Sequence, residues 1–200
     1  MFDPMPFATY SFVMSITPGP NNVMLTASGA NFGFRRTVPH LLGISTGCAV
    51  QLVLACAGLG ALFHRWPVLQ TVLQWAGAAY LLYMGWKLLA SSEIRPGTHP
   101  GQAPPQPIGF FQAAAFQFVN PKAWVMSLTP VALFLPPDMS LPLACTYLVV
   151  MMVIVNFPCI TVWALFGSSL RGLLTRRPAR LAFNIVMALA LGATGVIMVV

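Results

Sequence analysis

The chain has 200 residues, of which 58% are hydrophobic and only 6% charged, and its formal net charge is +7. Such a composition marks an integral membrane protein and leaves little room for a folded soluble domain. The positive balance does not point to nucleic acid: the basic residues stand at the ends of apolar runs, where the cytoplasmic bias of Lys and Arg accounts for them, and no stretch interleaves them with aromatic rings.

About six spans of roughly 20 residues fit this length, so the expected fold class is an all-α integral membrane protein, with one membrane domain over residues 1–200. The first residues, Met1-Phe2-Asp3-Pro4, carry no Lys or Arg, and none comes before Arg35. The first apolar run is therefore expected to be a retained span and not a cleaved leader. That span runs from about Pro6 to Phe32 and is interrupted by Ile16-Thr17-Pro18-Gly19-Pro20-Asn21-Asn22. Pro18 and Pro20 remove amide donors and crowd the carbonyls of Met14 and Ile16, so the helix should break there. Irregular backbone survives in hydrocarbon only where it is buried in protein or lines a wet cavity. A break followed by two carboxamides thus marks a candidate substrate site comprising Thr17, Pro18, Gly19, Pro20, Asn21 and Asn22; the plainer reading is a proline kink capped by the two asparagines. Thr26, Ala30 and Gly33 form a small-residue stripe for a neighbouring helix, and residues 33–39 read as the first turn.

Span two, about His40 to Phe63, places Gly43, Gly47, Gln51, Ala55 and Gly58 on one small face. Gln51 reads first as interhelical glue and second as a substrate ligand. His40 and His64 read as interfacial residues with no proton role. Span three runs from about Val68 to Leu89, with Gly77 and Gly85 on one face and Trp66, Trp75, Trp86 and Lys87 at or towards the ends, where amphipathic rings and snorkelling cations settle. Residues 91–107, rich in Pro and Gly, read as a flexible linker.

Span four, about Gly109 to Leu135, carries the second break, Asn120-Pro121-Lys122, in which Pro121 crowds the carbonyl of Gln117. Lys122 lies near mid-span, where a lysine costs on the order of 3 kcal/mol on insertion scales, so it should face a cavity or a partner. The plainer reading is a misplaced span boundary that lets it snorkel. Span five, about Leu141 to Gly167, holds Asn156 beside Pro158, and span six, about Leu181 to Val200, has Ala188, Gly192 and Gly195 on a small face. Cys48 and Cys56 fall in one span, Cys145 and Cys159 in another, without C-x-x-C spacing, and read as apolar thiols with no metal or redox role.

The turns after spans one, three and five hold Arg35, Arg36, Lys87, Arg95, Arg171, Arg176, Arg177 and Arg180, while the other side holds Arg65. This asymmetry places those turns in the cytoplasm and both termini outside. The breaks at Pro20 and Pro121 each fall in the first span of a three-span half. The expected architecture is therefore two inverted three-helix repeats, residues 1–90 and 108–200, joined by a cytoplasmic linker at 91–107, with broken helices one and four meeting near the midplane.

Thr17-Pro18-Gly19-Pro20-Asn21-Asn22, the segment Gly77-Ala78-Ala79-Tyr80-Leu81-Leu82-Tyr83-Met84-Gly85, and Gly109-Phe110 followed by Asn120-Pro121-Lys122-Ala123 resemble the lysine exporter (LysE) family, in particular its threonine and homoserine exporter (RhtB) branch. The likeness covers nearly the whole chain. It implies a bacterial inner-membrane exporter of amino acids or close derivatives, driven by the proton motive force. The chain departs from the family pattern at Thr37, Val38 and Pro39, where glycine usually follows the basic pair, and at Gln70 and Gln74, where a lysine often precedes span three.

The residues themselves suggest how such a substrate is held. The helix restarting after Pro20 points its amides, with Lys122, at a carboxylate. Asn21, Asn22 and Asn120, with the carbonyls of Met14, Ile16, Gln117 and Ile154, are expected to take the ammonium group, and Asn156 completes the set. No Asp or Glu lies within a span, since Asp3, Glu93 and Asp138 all fall outside or in turns. A neutral amino acid is therefore the expected substrate, of the threonine, homoserine or leucine kind. Lys122 is the one evident intramembrane titratable group and the candidate proton carrier. Protons and the lipid bilayer are the other expected partners; no cofactor, metal or nucleic acid is expected, and homo-oligomerisation is left open. A metal exporter would want intramembrane carboxylates or histidines, and a thiol-disulfide electron carrier would want paired cysteines beside the breaks.

Overall fold

The structure, a computed structural model, describes residues 3–93 and 106–199, the side chains of Leu62, His64, Ser91, Ser92 and Glu93 excepted. Most of the expected linker, with Arg95, therefore lies outside the described residues. Every regular element among the described residues is helical: α1 (Met5–Ile16), α2 (Pro20–Phe32), α3 (Phe34–Leu54), α4 (Gly60–Arg65), α5 (Pro67–Glu93), α6 (Phe110–Gln117), α7 (Pro121–Leu133), α8 (Leu141–Leu170) and α9 (Arg177–Ile197). A π-helical turn, Ala55–Leu59, joins α3 to α4.

Both proline breaks form, and in each the proline opens the new helix. Pro20 is the first residue of α2 and Pro121 the first of α7. Proline has no N–H to lose at that position and its fixed φ suits it. The breaks cut their segments into pieces of 12, 13, 8 and 13 residues, each short of the roughly 20 residues a bilayer needs. Three helical stretches remain long and apolar enough to cross uninterrupted: Phe34–Leu59, Leu141–Leu170 and Arg177–Ile197. Helix α5 has the length, at 27 residues, but Gln70, Gln74 and Lys87 dilute its apolar character.

The first turn is much shorter than its sequence suggests. Gly33 alone makes it, at φ 84°, and α3 begins at Phe34. A glycine reaches positive φ without steric cost, so one residue suffices to reverse the chain. Residues 34–39 join the helix, with Pro39 inside it. This moves His40 off the interface: it is fully buried, on the second turn of a helix that starts six residues earlier than expected.

Helix α8 packs against α1, α2 and α3; α3 packs against α6 and α7; α5 packs against α9. The α2–α8 contact is reciprocal and backbone-close. A Cβ on Gly29 would run into the carbonyl of Ala164, and one on Gly167 into the carbonyl of Thr26, so only glycine lets these helices meet. On α3 the small face at Gly43 and Gly47 meets the backbone of α6 at Phe110 and Ala114. The fully buried Phe7, Leu25, Leu41, Ile44, Leu148 and Met152 knit α1, α2, α3 and α8 into one core. Large apolar side chains such as Phe12, Val53, Trp75, Trp86, Phe111, Leu143, Ile154 and Leu189 face outwards, an exterior suited to lipid as solvent. The four thiols are free; Cys48 and Cys159 are buried, and the Cys56 and Cys145 side chains adjoin between the π-helical turn and α8.

Candidate functional site

The break between α1 and α2 leaves α1 with carbonyls that its own helix cannot bond. Side chains take most of them. Met14 O accepts from Thr17 Oγ1 at 3.3 Å, Ser15 O from Asn22 Nδ2 at 3.0 Å, and Ile16 O from Trp163 Nε1 at 3.1 Å. Thr17 O accepts from Asn22 Nδ2 at 2.8 Å and from Lys122 Nζ at 2.9 Å. The same ammonium group donates to Thr17 Oγ1 at 2.9 Å and to Pro18 O at 3.4 Å. A cation at the C-terminus of α1 is also favoured by the helix dipole.

The break between α6 and α7 is closed differently. Asn120 caps α7 by accepting from the Lys122 backbone N–H at 3.1 Å. Gln117 O accepts from Gln51 Nε2 at 2.8 Å and from Asn120 N at 3.1 Å, and Phe118 O accepts from Trp124 Nε1 at 2.8 Å. The Gln117 carboxamide pairs reciprocally with that of Asn21: Asn21 Nδ2 donates to Gln117 Oε1 at 2.8 Å, and Gln117 Nε2 donates back to Asn21 Oδ1 at 3.1 Å. Two broken helices 96 residues apart in sequence are thereby joined amide to amide.

Around these bonds lies one polar pocket. Gly19, Pro20, Asn21, Asn22, Asn120, Lys122 and Asn156 line it, with Ser15, Met126 and Ile160 among the remaining walls. Its free space holds about one water molecule in this closed arrangement. Asn156 Nδ2 donates to Ser15 Oγ at 2.9 Å, and Asn156 Oδ1 is buried with no hydrogen-bond partner. No Asp or Glu lines the pocket, so the charge of Lys122 is met there by carbonyl and hydroxyl oxygens. Helix α2 has no side-chain cap. Because Val23 N already bonds Gly19 O and Pro20 has no N–H, the backbone amides of Asn21 and Asn22 are the ones α2 leaves open at its start.

The residues singled out from sequence therefore divide. Seven share the pocket, and Thr17 and Pro18 hold Lys122 at its edge. Pro121 only starts α7. Gln51 is fully buried and bonded to the backbone of α6, which makes it interhelical glue. The carbonyls of Met14, Ile16 and Gln117, expected to receive an ammonium group, are occupied by Thr17, Trp163 and Gln51, because a carbonyl released by proline is quickly claimed by the nearest donor when no water can reach it. Sequence reasoning passed over the side chains of Gln117 and Ser15 and the indole of Trp163. Gln117 carried a signal, being an amide in an apolar span four residues before a proline; Ser15 and Trp163 carried none.

An apolar, all-helical chain whose two proline-broken helices close around a small polar pocket defines a class, the multi-pass membrane transport proteins. Within it the chain belongs to the LysE type translocators, whose family model matches residues 12–200; these are transporters and not enzymes. It is 34% identical over 187 residues, 92% of this chain and 91% of each relative, to proteins named cysteine/O-acetylserine efflux protein from Escherichia coli (strain K12), Escherichia coli O1:K1 / APEC and Shigella flexneri serotype 5b (strain 8401). No solved structure matches it.

Proposed function

We propose that this protein exports small neutral amino acids and their close derivatives across the bacterial inner membrane, with cysteine and O-acetylserine ahead of threonine, homoserine and leucine as substrates. The observation that carries the proposal is the pairing of Lys122 with the uncapped start of α2 across a pocket that contains no carboxylate. The substrate carboxylate displaces the Thr17 and Pro18 oxygens from Lys122 and takes the Asn21 and Asn22 amides. Its ammonium group goes to Asn156 Oδ1, an acceptor in the pocket wall without a partner. A cationic side chain would find no counter-ion there. Cysteine and O-acetylserine, which the relatives' names give as their substrates, are both small and neutral and agree with this chemistry.

The same proposal includes the architecture: six spans as two inverted repeats, 1–90 and 108–200, with the linker cytoplasmic and both termini outside. Its support is the basic asymmetry of the turns and the packing. Exchanging α1, α2, α3 and α5 for α6, α7, α8 and α9 maps α1–α8 onto α6–α3 and α2–α8 onto α7–α3, and leaves α3–α8 and α5–α9 unchanged, and all of these pairs are in contact. Proton coupling would run through Lys122, and a Lys122→Gln variant that kept the wild-type pH dependence of transport would remove it from that role.

The test is amino-acid release from dipeptide-loaded bacterial cells with and without the protein, reading all amino acids at once. Faster release of small neutral amino acids, lost with Lys122→Met, is the expected result. No change for any amino acid, with protein verified in the membrane, would overturn the export reading.

A further inference from the structure

A second cleft lies between α2, α5 and α9, away from the helix breaks. Ala27 and Phe32 of α2, Met84 and Lys87 of α5, Ile108 and Leu191 form most of its wall. Its cavity volume is about 80 Å³, about four times that of the polar pocket, and it is open at the rim, so it suits a small solute and not the drug-sized ligands of roughly 300–1,000 Å³ sites. The helices around it are tied together: Asn31 Nδ2 donates to Asn184 Oδ1 at 3.0 Å, and Asn184 Nδ2 to Leu88 O at 3.4 Å. The opening is thus held by hydrogen bonds between all three helices and is not a gap between loosely laid ones.

Position along α2 gives the cleft its meaning. At about 1.5 Å per residue, Phe32 lies roughly 18 Å along the helix from Pro20, on the side away from α1 and towards Arg35 and Arg36. Met24, one turn beyond Asn21 on the same face, reaches both places: it lines the cleft and sits in an apolar layer with Leu81, Met84, Phe116 and Leu191. Tyr80 stacks on Phe116 with ring centroids 4.8 Å apart. Met24, Met84 and Leu191 of this layer line the cleft, and Phe116 directly precedes Gln117 of the amide pair. Two of its members are methionines, unbranched side chains that change rotamer with little steric cost.

We propose that the cleft is the cytoplasmic vestibule of the transport path. An amphipathic neutral amino acid enters it with its carboxylate on Lys87 and its side chain against the apolar wall, and the Met24–Phe116 layer is the gate it must pass to reach Asn21. The occupant rests on the export reading above and the sidedness on the topology proposed with it; whether water reaches the cleft depends on neither. The charge complement supports this occupant, since Lys87 is the cation of a lining that is otherwise apolar or uncharged, and so does the continuity of the α2 face with the polar pocket.

The test uses inside-out membrane vesicles with radiolabelled O-acetylserine as the probe. Lys87→Gln is expected to raise the half-saturating concentration about fivefold at an unchanged maximal rate, and Lys87→Arg to restore it; equal half-saturation in wild type and Lys87→Gln overturns the role of Lys87. In parallel, Ala27→Cys is treated with a membrane-impermeant maleimide on the same vesicles, against the wild-type chain as background for its four native thiols. Labelling that O-acetylserine protects is the expected result. Labelling only by a lipophilic maleimide would identify a lipid-filled cleft and overturn the vestibule. Impermeant labelling with no uptake of any neutral amino acid by wild-type vesicles would bring down the export reading and with it the assigned occupant.

Discussion

Lys122 Nζ stands 2.9 Å from both the carbonyl and the hydroxyl oxygen of Thr17, so the first turn of α7 is latched to the last turn of α1. A latch made by the group proposed to bind substrate couples binding to opening, because the substrate carboxylate competes for the same ammonium protons. Hydrogen bonds to charged groups contribute about 1.5–3 kcal/mol. Lys122→Met should therefore lower export at least tenfold, with the protein still in the membrane. Thr17→Val keeps the carbonyl acceptor and should lower it only a few-fold. Release assays on cells expressing equal amounts of each variant decide this.

The amide pair between Asn21 and Gln117 should behave as a unit. Asn21→Ala takes this partner from the buried Gln117 carboxamide, Gln117→Ala takes it from the half-buried Asn21 carboxamide, and the double variant removes both. The two single effects on thermal stability in detergent should then sum to more than the double effect, with a coupling of about 0.5–3 kcal/mol. Simple additivity would show that the pair is not energetically linked.

The α2–α8 contact is expected to be the least tolerant of added volume. Gly29→Ala and Gly167→Ala drive a methyl group into the carbonyls of Ala164 and Thr26, and overpacking of this kind costs about 1–3 kcal/mol. Each should lower the melting temperature measured in detergent. Ala at Gly109, where nothing lies within contact distance, should leave it unchanged.

Charge selectivity follows from a pocket without acids. Unlabelled lysine and arginine should fail to compete with O-acetylserine for transport in vesicles, whereas cysteine and threonine should compete. Equal competition by lysine would show that an acidic group reaches the site.

Orientation can be read with reporters. Alkaline phosphatase, active only outside the cytoplasm, should be active when fused after residue 199 and inactive when fused after Thr175 in the basic segment before α9. The reverse pattern would invert the assigned topology and place the α2–α5–α9 cleft on the outer face.

Much of this protein was legible in its sequence, and for definite reasons. Hydropathy determined the membrane as solvent, and Pro20 and Pro121 determined where two helices break, because a proline's missing donor acts whatever surrounds it. The polar residues near those prolines could be named because few groups in an apolar chain could line a polar pocket. What each one does was decided only by the tertiary structure. Asn22 stitches α1 to α2, Asn21 pairs with Gln117, Lys122 caps α1, and Asn156 keeps, in the pocket wall, an acceptor without a partner. Those assignments depend on which donors lie within 3 Å of which carbonyls once distant segments pack, and spacing along the chain does not encode that distance. The burial of His40 was likewise beyond the sequence reading, since it hangs on Gly33 reversing the chain in one residue, and the α2–α5–α9 cleft appears only where three helices, unremarkable singly, are tied together by a chain of asparagine hydrogen bonds.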